Sequence, residues 1–187
     1  MKVCIINDLE ITTEIKQCDV VILTKNPIPF SVNSSPVTAS MWLARDFINW
    51  VLELPCTNCI GCYFEFSDID TTILDRICKL TKFRFDIIQN KEFNIITENE
   101  VCKFWIGDDF KSIPKGCDLI VVNDIPDEKT ITQTRKKTNG NIELANIIKE
   151  QKPLNVIYPG NTTTKLETKK NCITKFASLA DIIYINV

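Results

Sequence analysis

The sequence predicts an α/β fold, with a mostly parallel sheet, helices on both faces and one domain spanning residues 1–187. Three observations predict it. A small residue, an aspartate and an apolar run recur at Cys18-Asp19-Val20-Val21-Ile22-Leu23, Cys117-Asp118-Leu119-Ile120-Val121-Val122 and Ala180-Asp181-Ile182-Ile183-Tyr184-Ile185. Each follows a stretch with helical character. None alternates apolar with polar residues, as a strand with one wet face would. Continuous apolar strands fed by helices belong to a parallel sheet covered on both sides.

Lys2–Asn7 reads as the first strand, and Asp8 is a candidate cap for a short helix over about Leu9–Gln17. Asp19 leads into the second strand. Lys25–Thr38 carries three prolines with Ser and Asn residues, which makes it a long loop. A helix from Thr38 to about Glu53 follows from the spacing of Met41, Trp42, Ala44, Arg45, Ile48, Val51 and Leu52, with Trp42 and Trp50 on one stripe. Pro55 ends it. After a cysteine-rich turn, Cys62–Phe66 reads as a strand, Ser67–Asp70 as a capped loop, Ile73–Leu80 as a helix and Phe83–Ile88 as the returning strand.

Phe93–Thr97 and Cys102–Ile106 read as an antiparallel edge hairpin, followed by a short helical turn from Gly107-Asp108-Asp109 to Gly116. The strand entered at Asp118 leads into a charged loop reaching Asn139. A helix over Ile142–Glu150, stopped by Pro153, feeds the strand Leu154–Tyr158. Pro159–Thr164 is a turn, Lys169–Leu179 a helix, and the last strand runs to Val187.

Composition narrows function chiefly by exclusion. The chain is 44% hydrophobic and 25% charged, with a formal charge of −2, so the clustered positive surface that nucleic acids require is not favoured. No apolar stretch has the length of a membrane-spanning helix, and the N-terminus lacks a signal-peptide pattern, so a cytoplasmic protein without a membrane partner is expected. There is no histidine. Histidine-based triads and histidine-ligated metals are thereby excluded, and any catalysis rests on carboxylates, Lys, Tyr, Ser, Thr or Cys.

Nine cysteines remain to be placed. Cys4, Cys18, Cys78, Cys117 and Cys172 lie in or beside apolar segments and read as small hydrophobes. Cys56-Thr57-Asn58-Cys59-Ile60-Gly61-Cys62 has the gaps by which thiolates converge on a metal, and Cys56/Cys59 the spacing of a redox pair. With no second such run, structural thiols are the expectation, and neither a metal nor a cofactor is predicted.

In open α/β sheets ligands gather beyond the carboxyl ends of the strands. The loops predicted there carry Ser34, Ser35, Asp68, Asp70, Arg135, Lys136, Lys137, Asn139, Gly140, Asn141, Gly160, Thr162 and Lys165, a set rich in hydroxyls, amides and cations that suits a phosphate or sugar. Such residues also populate loops for turn reasons alone. A glycine at a helix start lets backbone approach an anion, and the first amides favour phosphate. Glu143, in the first helical turn, either reaches a sugar hydroxyl or acts as base or nucleophile, or simply complements the helix dipole. Asp108-Asp109 and Arg135-Lys136-Lys137 are read as a capped turn and solvated loop charge.

The order apolar strand, polar loop, glycine, helix with Glu-Leu-Ala, Lys-Pro and apolar strand, here Asp118–Tyr158, resembles the Rossmann-like nucleotide-binding superfamily. That superfamily includes DNA-processing protein A, the cytokinin-activating phosphoribohydrolases (lysine-decarboxylase-like) and the molybdenum carrier proteins. Asn141 stands where that pattern has threonine, and Glu65–Asp70 where it has a glycine-rich loop. The resemblance implies a three-layer Rossmann-like sandwich binding a nucleotide or phosphorylated small molecule. It further implies hydrolase or transferase chemistry on an N-glycosidic bond, with Gly140 and Asn141 holding a phosphate, Asp68 or the catalytic candidate Asp70 contacting the sugar, and Glu143 as the reactive carboxylate. The alternative is a Rossmann-like module that works without catalysis, in assembly, as a homo-oligomer or in protein interaction.

Overall fold

The computed structural model describes residues 1–7, 14–28, 36–127, 140–158, 175–178 and 182–187. The fold is α/β and Rossmann-like, with strands that are mostly parallel. Where one sheet is predicted, the strands divide into two sheets of five, in two compact units: residues 2–88 with 181–186, and residues 89–180 with the chain's two terminal residues. Apolar runs encode burial but not the identity of the neighbouring strand, so a break between sheets leaves no mark in them.

The first unit contains β1 (Lys2–Ile6), β2 (Val20–Leu23), α1 (Val37–Leu43), α2 (Arg45–Glu53), β3 (Asn58–Cys62), the short turn α3 (Tyr63–Phe66), α4 (Thr71–Leu80) and β4 (Phe85–Ile88). It is completed by β10 (Ile182–Asn186), antiparallel beside β1, giving the order β10-β1-β2-β3-β4 with all other pairings parallel. Cys4, Ile6, Val21, Leu23, Cys59 and Phe85 form one core cluster with Phe47 and Val51 of α2 and Ile73 and Ile77 of α4. Phe47 meets Phe85 edge to face, ring centroids 5.1 Å apart. Val3, Ile5, Val20, Ile22 and Ile60, of opposite parity, are buried as well, which is why these runs do not alternate.

The second unit contains β5 (Lys91–Ile96), β6 (Val101–Gly107), a 3-10 turn (Phe110–Ser112), β7 (Leu119–Val122), α5 (Ile142–Gln151), β8 (Asn155–Tyr158) and β9 (Lys175–Ser178). Its order is β5-β6-β7-β8-β9, again one antiparallel edge strand beside four parallel ones. The hairpin expected near 93–106 is therefore present, with β5 at the edge. Trp105, Ile120, Val122, Leu144, Ala145, Ile148 and Val156 make its core.

Several local expectations change. The third strand lies earlier than Cys62–Phe66: a Cβ on Gly61 would come within 2.8 Å of the Phe66 ring, so Phe66 folds back over the strand and residues 63–66 are helical. Packing there overrides the strand preference of aromatic residues. The helix expected over 38–53 is divided at Ala44, leaving Trp42 exposed and Trp50 buried rather than on a common stripe. Part of the helix expected over 169–179 is strand β9, since four residues are too few for periodicity to decide. The final apolar run is an antiparallel edge strand of intermediate burial, unlike the fully buried β2 and β7. The helix expected over 9–17 falls mostly outside the described residues, and its described part, residues 14–17, is not helical. Among the described residues no helix is long and apolar enough to cross a membrane.

Candidate functional site

Beyond the carboxyl end of β7, described residues from the two ends of a predicted loop meet at the start of α5. Asn141 caps α5, its Oδ1 accepting from the Leu144 N–H at 3.0 Å while its Nδ2 donates to the Asp124 carboxylate at 2.8 Å. The main chain closes the same junction. Asn141 N–H donates to the Ile125 carbonyl at 2.7 Å, and Asp127 N–H donates to the Asn141 carbonyl at 3.0 Å. Gly140 is required by this closure: a Cβ there would stand 2.4 Å from the Pro126 carbonyl oxygen. The glycine thus serves the approach of the chain to itself.

Glu143 points to solvent and pairs with Lys111 of the 3-10 turn at 3.7 Å. With the two side chains 63% and 79% exposed, this pair is solvated and contributes little to stability. Lys111, Ile142, Glu143, Asn146 and Glu150 line a shallow groove of about 520 Å³ along α5. With Gln151 at its far end, it offers one cation, two carboxylates and two amides along the helix, a set able to hold a polar small molecule. At the end of β6, Asn90 Oδ1 accepts from the Asp108 and Asp109 N–H groups at 2.8 Å each, so this pair of aspartates begins a fixed turn, as expected.

In the first unit, Asp70 is the N-cap of α4, accepting from the Thr72 N–H at 2.8 Å, and Asp68 is exposed. At the ends of β1 and β2, buried Thr24 donates to the Ile6 carbonyl at 3.2 Å and lies 3.3 Å from Asn7 Oδ1. Asp68 and Asp70 belong to this unit, whereas Gly140, Asn141 and Glu143 belong to the other. Neither sheet by itself assembles the whole predicted set. Ser34, Ser35, Asn139, Gly160 and Thr162 lie outside the described residues.

The cysteines group differently from their spacing. Cys59 and Cys62 are buried in β3 and Cys56 half-buried ahead of it. No group of three or more cysteines or carboxylates among the described residues is arranged to hold a metal ion. Instead Cys4 and Cys18 lie in one core cluster, with Cys56 packed against it. The neighbouring Cys4 and Cys56 thiols, and more weakly the Lys2 charge, lower the Cys18 pKa against its own burial. Cys4 and Cys56 are pushed up by the neighbouring Cys18 and by burial, and burial is the main cause that raises Cys59. Burial takes Cys78 and Cys117 up to about 11 each. No sequence signal paired residues 4, 18 and 56, which are far apart in the chain and meet only in the folded core.

No protein-family model and no curated protein matches the chain. Among solved structures, TT1561 of Thermus thermophilus is similar, with a TM-score of 0.50 and 10% identity over 96% of this chain and 89% of that one. At that identity the likeness is one of fold.

Proposed function

We propose that the protein binds a nucleotide or related phosphorylated small molecule at the carboxyl ends of its parallel strands. The observation that carries the reading is the closed Asp124–Gly140–Asn141 junction, which fixes the start of α5 beside Lys111 and Glu143. A rigid helix start with an adjacent cation suits phosphate, and a neighbouring carboxylate suits a sugar hydroxyl. The resemblance of residues 118–158 to Rossmann-like nucleotide-binding proteins supports the same class. In its catalytic form, Glu143 is the base or nucleophile at an N-glycosidic bond, because Asp70 is occupied in capping α4. Isothermal titration with nucleoside mono- and diphosphates and nucleotide sugars tests it. Binding that weakens in Lys111→Ala supports the reading, and no heat with any of them up to millimolar concentration removes it.

A second reading, a non-catalytic assembly or interaction module, is favoured by exposed aromatic surface in the first unit. Trp42 is 68% exposed beside Arg45, and Phe83 is 72% exposed. Light scattering separates the two: a stable homo-oligomer without nucleotide affinity supports the module.

A further inference from the structure

Cys18 and Cys56 occupy matching places ahead of neighbouring parallel strands. Val20 pairs with Asn58 in the ladder, and each cysteine precedes its member of that pair by two residues. The Cys18 N–H donates to the Pro55 carbonyl at 3.3 Å, so the alignment continues upstream of the strands. Adjacent strands lie about 4.8 Å apart, inside the roughly 4.4–6.8 Å Cα separation that a disulfide accepts. Both side chains meet the same core, Cys18 within it and Cys56 packed against it. Both thiols are free.

We propose that Cys18 and Cys56 form a thiol–disulfide modification site, oxidised to a disulfide by hydrogen peroxide. Cys18 is the attacking sulfur, since the neighbouring Cys4 and Cys56 thiols and the Lys2 charge favour its thiolate against its burial and the Asp19 charge. Cys56 is the resolving thiol. Half-buried and outside the ladder, it stands nearer to solvent than Cys18, and its S–H donates to the Asn58 carbonyl at 3.3 Å. Cys4 is the poorer partner, because β1 is held by β10 on one side and β2 on the other and Cys4 is fully buried.

In the first step the Cys18 thiolate attacks one peroxide oxygen. The O–O bond breaks, an S–O bond forms, and the departing hydroxide takes a proton to leave as water. The Cys56 sulfur, giving up its proton, then attacks the Cys18 sulfur, forming S–S and expelling the hydroxyl as a second water. The two thiols lose two electrons and the peroxide gains them.

The test uses the full chain. After brief exposure to about one equivalent of hydrogen peroxide, remaining thiols are blocked with N-ethylmaleimide in denaturant and peptides are mapped by mass spectrometry. The expected result is a linked pair containing Cys18 and Cys56, two hydrogens lighter than the sum of the reduced peptides and released by dithiothreitol. In Cys56→Ser the link is lost and dimedone labels Cys18 instead. Cys18 remaining fully alkylated in the wild-type protein, or linked to Cys4, overturns the proposal. The wild-type map decides the matter even where the variant does not fold.

Discussion

The Asp118 carboxylate accepts the Lys103 main-chain N–H at 2.7 Å, while the Asp118 N–H donates to the Lys103 carbonyl at 2.8 Å. Asp19 and Lys2 form the same ring in the other unit, with the same 2.7 and 2.8 Å bonds. In each, the aspartate opening one parallel strand secures the start of the preceding one. The recurrent small-Asp-apolar stretch thus has a physical meaning at two of its three sites, and Asp181 lies outside the described residues.

Asp118→Ala and Asp19→Ala are each expected to destabilise the protein by about 1–3 kcal/mol, by leaving a strand N–H without its charged acceptor. Asp118→Asn, which keeps an acceptor oxygen, should cost less. Urea unfolding with an unchanged slope and a lowered midpoint is the expected signature.

Gly140→Ala forces a methyl group onto the Pro126 carbonyl and is expected to cost about 1–3 kcal/mol. Gly116→Ala is a contrasting control: nothing lies within 4 Å of its added carbon, and its strain comes only from a φ of 70°. Thermal unfolding of the two variants compares crowding with backbone strain.

Asn141→Ala removes both the helix cap and the link to Asp124, for an expected loss of about 1–2 kcal/mol. Asn141→Ser keeps a cap and should lose less. A double-mutant cycle with Asp124→Ala is expected to show coupling of at least about 0.5 kcal/mol. Additive losses would mean the link contributes nothing.

Arg84 donates to the carbonyls of Leu52, Leu54 and Cys56, closing the C-terminal end of α2. Arg84→Met retains the stem but not these charge-assisted bonds, and a loss of about 1.5–3 kcal/mol is expected in denaturant titration. Arg84→Lys should recover only part, since an ammonium lacks the planar fork.

Glu143→Gln should leave the unfolding midpoint within about 0.5 kcal/mol of wild type, because its only described ion pair is solvated. On the catalytic reading, turnover of a nucleotide N-glycosidic substrate falls about a hundredfold or more in this variant while binding persists. Unchanged turnover would assign Glu143 to the helix dipole alone.

Hydrophobic pattern, glycine, proline and capping residues are local signals. They determined the α/β class, most strand positions, the edge hairpin at 93–106 and the helix opened by Asn141. Pairing is not local. Only the tertiary structure decided that β4 and β5 belong to different sheets, that the last apolar run returns antiparallel to β1, and that Phe66 bends back over Gly61. The same holds for chemistry: residue types nominated Asp70 and Gly140, and packing gave them capping and close-approach roles. It was strand register, which no window of sequence contains, that placed Cys18 against Cys56.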